Sequence, residues 1–132
     1  MRLSFPYLKE QSRIFGVVSR PIARVILQRK YPQWMYVDSG ADISLIPLSV
    51  GRLIGLTRTR EDRLQRIFGI SRSSVSIIVK KISMRIGSSE FNARVAWSQV
   101  EQVPLLLGRM DVFPKFKVTF NERNQLTTFS TS

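Results

Sequence analysis

The chain has 132 residues with no cysteine and no histidine, and its 21 basic and 9 acidic residues give a formal net charge of +12. Without cysteine and histidine it cannot assemble thiol nucleophiles, serine–histidine triads or Cys/His zinc sites. Acid–base chemistry is left to carboxylates, and we expect neither a metal nor a cofactor to take part.

The length and a hydrophobic content of 43% predict one compact domain, residues 1–132, with its core at about 14–129. No stretch approaches the ~18 apolar residues of a membrane span, and no apolar signal-peptide core follows Met1. The lack of cysteine fits a reducing compartment. We therefore expect a cytoplasmic protein with no membrane span.

Strands dominate the first half of the chain. Residues 14–18 and 22–27 flank Ser19-Arg20-Pro21 and predict a hairpin, because proline suits a turn. Residues 1–12 are expected to be loosely held. One strand ends at Val37 and another begins at Ile43, and residues 47–55 predict a short helix with proline in its first turn and glycine at its end.

Alternating apolar residues also mark the second half, after a polar surface connection at 57–66. Val75, Ile77 and Val79 alternate, whereas Ile82 begins an alternation in the other phase, which predicts a β-bulge or bend near Lys80-Lys81. Gly87-Ser88-Ser89 predicts a turn. The remaining predicted strands are 91–97, 103–107 and a final hairpin of 117–120 with 126–129, followed by a loosely held tail.

The segment Asp38-Ser39-Gly40-Ala41-Asp42 places a carboxylate on a tight turn directly after the apolar run 34–37. An unpaired buried carboxylate costs about several kcal/mol, so this placement needs a reason. Gly40 allows the chain to bend, its amide can donate to Asp38, and Ser39 can support the carboxylate from the side. Asp38 and Asp42 are the only two of the nine acidic residues in an apolar, turn-rich setting. The alternative is that Asp38 is an ordinary turn aspartate.

This turn resembles the active-site turn of the retropepsins, the retroviral-type aspartic proteases, and the ending 116–122 is more similar to their cellular microbial members. Leu106-Leu107-Gly108-Arg109 resembles the second hallmark of that family, two large apolar residues followed by Gly and Arg. The two motifs occur in the order the family expects, and residues 108–113 continue as its short C-terminal helix would. The resemblance implies an all-β, closed-barrel acid protease fold with one or two short helices.

The resemblance also implies a mechanism. Aspartic protease chemistry requires two facing carboxylates that share a proton and activate a water. Because the chain contains a single Asp-Ser-Gly, the second carboxylate must come from another copy, which predicts a homodimer with Asp38 of each subunit at its two-fold axis. Ser39 would hydrogen-bond across that axis, and Gly40 would stabilise the Asp38 anion. Asp42 would pair with Arg109 beneath the loop and contact the substrate backbone.

A flap that closes over the bound peptide is a further implication of the resemblance. Its predicted location is residues 67–74, where Gly69 would give flexibility and Phe68 or Ile70 would contact substrate. The sequence departs from the family here, because flap tips of retropepsins usually carry two or more glycines. An ordinary hairpin loop is the alternative.

The positive charge supports two rival functions. Six arginines crowd one segment: Arg52, Arg58, Arg60, Arg63, Arg66 and Arg72. Such a charge predicts non-specific contact with polyanions, and one rival is a basic nucleic-acid-binding β domain with an inert Asp-Ser-Gly turn. The other is a catalytically silent retropepsin-fold dimerisation module. The intact motif around Asp38 favours the aspartic endopeptidase, with a peptide or protein substrate.

Overall fold

A computed structural model describes residues 1–68 and 73–132 and shows a mostly β chain. The strands are β1 (Arg2–Pro6), β2 (Leu8–Ser12), β3 (Gly16–Arg20), β4 (Ile22–Leu27), β5 (Tyr31–Val37), β6 (Ser44–Ile46), β7 (Gln65–Phe68), β8 (Ser74–Ile86), β9 (Ser89–Ser98), β10 (Leu106–Leu107), β11 (Lys117–Asn121) and β12 (Leu126–Ser130). One α-helix, α1 (Leu48–Leu53), and a 3-10 turn (Phe113–Lys115) complete the described elements. Neither of these helices is long and apolar enough to cross a membrane.

Six strands close into a barrel. They follow one another in the order β4, β5, β10, β6, β9 and β8, and β8 pairs with β4 through Ile26↔Arg85 and Leu27↔Met84 to complete the circuit. β7 adds to the outer edge of β8. The predicted closed β-barrel is therefore confirmed. Because the sheet closes on itself, each of the six strands pairs with a neighbour on both sides. This pairing protects a small β domain from edge-to-edge association.

The barrel interior is filled by large apolar side chains. Leu27, Met35, Met84 and Leu107 are fully buried, and Phe129 joins them from the separate sheet of β1, β12 and β11. Burying each such side chain contributes roughly 1.5–3 kcal/mol, so this core supplies most of the stability that holds the site in place.

The two chain ends form part of this second sheet. β1 pairs with β12 from Arg2↔Ser130 to Pro6↔Leu126, and the amino group of Met1 donates to Thr131 Oγ1 at 2.9 Å. The expectation of loosely held residues 1–12 and a loose tail is therefore wrong. The alternation in β1 places Phe5 against the core, where its ring meets Phe129 edge-on at 6.0 Å between centroids.

The predicted hairpin around Ser19-Arg20-Pro21 is also wrong. β3 pairs with β2 and β4 pairs with β5, so the chain passes from one sheet to another at Pro21. Proline has no amide hydrogen to give to a ladder. Its carbonyl instead accepts from the amide of Val37 at 3.0 Å, which ties this crossing to the end of β5.

β8 contains no bulge between Ile77 and Ile86, where it pairs with β9 in one unbroken register. The change in apolar phase has a different cause, because the two faces of this strand bury different residues. Ile77 packs with Leu45 and Ala96 in a small cluster, whereas Met84 enters the main core. The predicted bulge is therefore absent from this stretch, and the strand continues through it with residues of both faces buried.

The two helix predictions have different outcomes. The helix predicted at 47–55 is confirmed as α1, which Pro47 precedes and Gly55, at φ +93°, follows. Residues 108–113 do not form the expected helix. Asp111 adopts a left-handed φ of 64°, which interrupts a right-handed helix, and only the 3-10 turn follows it.

Candidate active site

Asp38 lies on the turn at the end of β5, and neighbouring backbone fixes its position. β5 runs parallel to β10, and the Asp38 amide donates to the carbonyl of Leu107 at 3.0 Å. The amide of Gly40 donates to Asp38 Oδ1 at 2.9 Å, as the sequence predicted. The amide of Ala41 closes the turn by donating to the Asp38 carbonyl at 3.2 Å. These bonds hold the carboxylate half-buried at a defined place, with Ser39 exposed beside it.

Gly108 braces this turn from beneath. A Cβ at this position would lie 2.4 Å from the carbonyl carbon of Ile43, so only glycine fits between the two segments. The Gly108 amide donates to Ser44 Oγ at 2.9 Å, and Ser44 is fully buried. The hydrophobic-Gly motif thus buries Leu107 and leaves Leu106 facing a cleft. Sequence reasoning missed Ser44. The signal that could have identified it is a hydroxyl side chain within an otherwise apolar strand.

Asp42 and Arg109 come together through their backbones. The Arg109 amide donates to the Ala41 carbonyl at 2.9 Å, and the Met110 amide donates to the Asp42 carbonyl at 2.8 Å. Both side chains are exposed and border one open cavity with Phe113. The ion pairs among residues 1–68 and 73–132 do not include Asp42 with Arg109. Within one chain the predicted ion pair is therefore not formed, and the two hydrogen bonds given above join the segments through their peptide groups.

Arg94 and Asp111 form an ion pair that sequence reasoning missed. The guanidinium binds the Asp111 carboxylate through both oxygens at 2.8 and 3.0 Å, and the Arg94 amide adds a bond of 2.9 Å. These hydrogen bonds, from the guanidinium first and the amide second, lower the pKa of Asp111 to about 2. The pair ties the segment after Gly108 to β9.

A cleft of about 580 Å³ opens on one side of Asp38. It is mostly apolar, and its walls comprise Gly40, Ala41, Asp42, Ile43, Leu45, Ile67, Phe68, Ser73, Val75, Val103, Pro104 and Leu106. β7 and β8 form one wall and are paired as far as Phe68↔Ser74. Of the predicted flap residues, Phe68 lines this cleft and is 72% exposed, whereas Gly69 and Ile70 lie outside the described residues.

A second cavity, of about 540 Å³, opens on the other side of Asp38. Glu10 and Arg20, from the β2–β3 hairpin, line it together with Tyr36. The Tyr36 hydroxyl donates a short hydrogen bond to Glu10 Oε1, and Arg20 Nε lies 3.3 Å from Glu10 Oε2. The bond to Glu10, with burial as a smaller cause, raises the pKa of Tyr36. No pattern in the sequence points to Glu10, because its position depends on how the hairpin packs.

Two acids that could have served as a second carboxylate form ion pairs with other residues. Asp62 accepts from Lys80 Nζ at 2.9 Å through both oxygens, and hydrogen bonds from Lys80 and the Thr59 amide lower the pKa of Asp62. Asp111 is held by Arg94. Glu10 lines one of the two cavities beside Asp38, and Asp42 lines the other.

Comparison with solved structures shows the fold. The EIAV protease complexed with the inhibitor HBY-793 superimposes with a TM-score of 0.59 at 16% identity, over 80% of this chain and 92% of that one. A retropepsin-like aspartic protease from Rickettsia conorii gives a TM-score of 0.63 at 17% identity, over 98% of this chain and 90% of that one. No family model and no curated protein matches the sequence. The chain thus has the retropepsin fold, as its two motifs predicted.

Proposed function

We propose that the chain is an aspartic endopeptidase whose active site is assembled from two copies. The observation that carries the proposal is the position of Asp38, held by the amide of Gly40 on a rigid turn between two cavities of a retropepsin fold. Each cavity has the size of a pocket for a substrate group. The two solved neighbours are a protease and a retropepsin-like aspartic protease, which adds support by analogy.

The proposed chemistry places a water between two Asp38 carboxylates that share one proton. The ionised carboxylate takes a proton from the water, and the protonated one donates to the oxygen of the scissile carbonyl. The new C–O bond gives a tetrahedral gem-diol. Its C–N bond then breaks as the nitrogen takes a proton from the Asp38 that had accepted one from the water. The other Asp38 regains a proton from a gem-diol hydroxyl, so the pair again shares one proton. Gly40 supports this scheme, because its amide donates to Oδ1 of the carboxylate and so orients it.

The remaining site residues have supporting roles in the proposal. Ser39 is exposed next to Asp38, where its hydroxyl can bind the partner turn. Asp42 and Phe68 line the cleft and would contact the peptide. Arg109 would act through the partner subunit or through its own backbone bond to Ala41. The segment that follows Phe68 would close over the bound peptide as a flap and exclude water.

The test is a mixing experiment with peptide hydrolysis as the readout. Parent protein should cleave a peptide library and be inhibited by a pepstatin-like transition-state mimic, whereas Asp38→Asn should be slower by at least about 10²–10⁴-fold. At fixed parent concentration, an equal amount of Asp38→Asn chains should remove roughly one half of the activity, because mixed dimers lack one carboxylate.

A second acid in the same chain would give a different result. Glu10 is the candidate, since it shares a cavity with Asp38. If Glu10 completed the site, adding Asp38→Asn chains would leave the parent activity unchanged, and the activity per chain would not fall on dilution. Either result would contradict assembly from two copies. Full hydrolysis by Asp38→Asn, in a preparation free of other proteases, would contradict the proposal that the chain is an aspartic endopeptidase.

Polyanion binding is a second candidate function. Five arginines of the basic segment are exposed, namely Arg52, Arg58, Arg60, Arg63 and Arg66, and Arg72 lies outside the described residues. Binding would be electrostatic and would weaken as salt rises. A gel-shift titration with single-stranded nucleic acid at several salt concentrations tests it. Asp38→Asn should leave this binding unchanged, which separates it from hydrolysis.

A further inference from the structure

The β2–β3 hairpin carries large apolar side chains that the described residues leave uncovered. Ile14 is 81% exposed, Phe15 78% and Val17 65%, and Leu8 at the base is 41% exposed. The two strands pair with each other and with no other described strand. A two-stranded ribbon is at best marginally stable alone in water, and exposed apolar groups of this kind mark an interaction surface.

The hairpin is nevertheless held in a defined direction. At its base, Glu10 accepts from Tyr36, and Ser19 Oγ donates to Gln125 Oε1 at 3.3 Å. At its tip, the amides of Ile14 and Phe15 donate to Ser12 Oγ at 3.3 and 3.2 Å. The turn therefore presents these two apolar side chains outward. Each strand has five residues, so the tip of the hairpin lies about 17 Å from its base.

We infer that this hairpin is an arm that packs its tip, Ile14 and Phe15, against a second copy of the chain. The inference rests on the proposed function, which brings a second Asp38 to the first. Glu10 and Arg20 of the arm line the same cavity as Asp38. Any copy that brings its own Asp38 within hydrogen-bonding reach must therefore lie directly beside the base of the arm.

A second copy fits the arm better than an anionic surface would. The tip itself is apolar, and only Arg13 next to it is charged within the turn of residues 13–15. The arm is continuous with the site that is incomplete in one chain. Two copies with a net charge of +12 each also repel, so their association requires apolar contact, and Ile14 and Phe15 are the most exposed large apolar side chains among the described residues.

The first test is the double variant Ile14→Ser/Phe15→Ser, followed by sedimentation velocity over a concentration series. We expect the dimer dissociation constant to rise by about 10- to 100-fold, as for buried apolar anchors at an interface. The matched control is Leu53→Ser/Leu64→Ser, which changes two side chains that are 53% and 51% exposed outside the arm. The control should leave the dissociation constant unchanged. Thermal unfolding above the raised dissociation constant checks that the variant still folds.

Peptide hydrolysis separates dimer contact from substrate contact. The arm variant should lose activity at low protein concentration and regain it at a concentration above its raised dissociation constant. A loss that is equal at every concentration would overturn the inference, because it would indicate direct contact with substrate. Unchanged hydrolysis by Asp38→Asn would instead contradict the proposed function. This outcome does not depend on the behaviour of the arm.

A probe at the tip gives a direct readout, because the chain has no other cysteine. Phe15→Cys carrying an environment-sensitive fluorophore should shift its emission to the blue as concentration passes through the dimer range. The same label on Leu53→Cys should not shift. A dimer that forms without a shift at position 15 would overturn the inference. So would a shift that appears only after vesicles of anionic lipid are added.

Discussion

Gly108→Ala tests whether the glycine of the hydrophobic-Gly motif braces the turn that carries Asp38. The added methyl group would lie 2.4 Å from the carbonyl carbon of Ile43 and 2.8 Å from the amide nitrogen of Ser44. Normal contact requires ~3.4 Å or more, so the two backbone segments must separate by roughly 1 Å. Overpacking of this kind costs about 1–3 kcal/mol.

The same separation weakens the bonds that join the segments. The Gly108 amide donates to Ser44 Oγ and the Arg109 amide donates to the Ala41 carbonyl, both at 2.9 Å. Losing one of them adds about 0.5–1.5 kcal/mol, so we expect the free energy of unfolding to fall by about 2–4 kcal/mol. At roughly 3–5 °C per kcal/mol for a chain of this size, calorimetry should show a clear decrease in Tm.

Gly55→Asn is the matched control for this experiment. Gly55 also follows a structured segment, at φ +93°, but a Cβ there meets no atom within 4 Å. Any side chain is strained at this positive φ, but asparagine less than others, so the cost should be about 1 kcal/mol and should arise without displacing a neighbouring segment. Peptide hydrolysis by Gly108→Ala should fall together with the folded population. A Gly108→Ala protein with the Tm and activity of the parent would refute the argument that Gly108 positions the turn.

Three further predictions concern charge. Asp111→Asn should lower Tm at neutral pH. Because Arg94 depresses the folded pKa of Asp111 to about 2, against 3.8 for the free group, this stabilisation is complete above the unfolded value and is lost as pH falls through the folded one. Thermal scans of parent and variant should therefore converge between pH 4 and 2, and a constant difference would contradict the pair. Glu10→Gln should reduce peptide hydrolysis far less than Asp38→Asn, and an equal loss in both would make Glu10 the second acid. Dimerisation should strengthen from 0.05 to 0.5 M salt in sedimentation runs, since screening shortens the Debye length to ~10 Å at 0.1 M and reduces repulsion between the two subunits.

The turn that carries Asp38 could be predicted from sequence because its determinants are local. Asp38 and Gly40 are two residues apart, and the bond between them depends on a short stretch of backbone. The hydrophobic-Gly motif is equally local. Leu107 must be buried and Gly108 must approach another backbone closely, and both requirements limit the residue types that can occupy these positions.

The features that sequence reasoning predicted wrongly or missed depend on partners that are distant in the sequence. The apolar phase of β8 changes because Ile77 and Met84 meet different clusters, and a pattern along one strand does not show this. Glu10 reaches the cavity at Asp38 only because the β2–β3 hairpin packs beside β5. The ion pair of Arg94 with Asp111 joins two segments that are 17 residues apart, and it depends on the left-handed backbone at Asp111. Charge pairing of this kind has no short-range signature.

The fold of one subunit and its proposed association with a second copy can therefore be changed separately. Backbone hydrogen bonds within one chain hold the turn at Asp38, so a single subunit already contains a formed half of the proposed site. Association with a second copy would depend on other residues, among them Ile14 and Phe15 at the tip of the arm. Gly108→Ala should therefore destabilise each subunit, and the arm variant should weaken only the association. If both changes lowered Tm and dimer affinity by the same proportion, folding and assembly would be one process, and the half-site would not exist in the free chain.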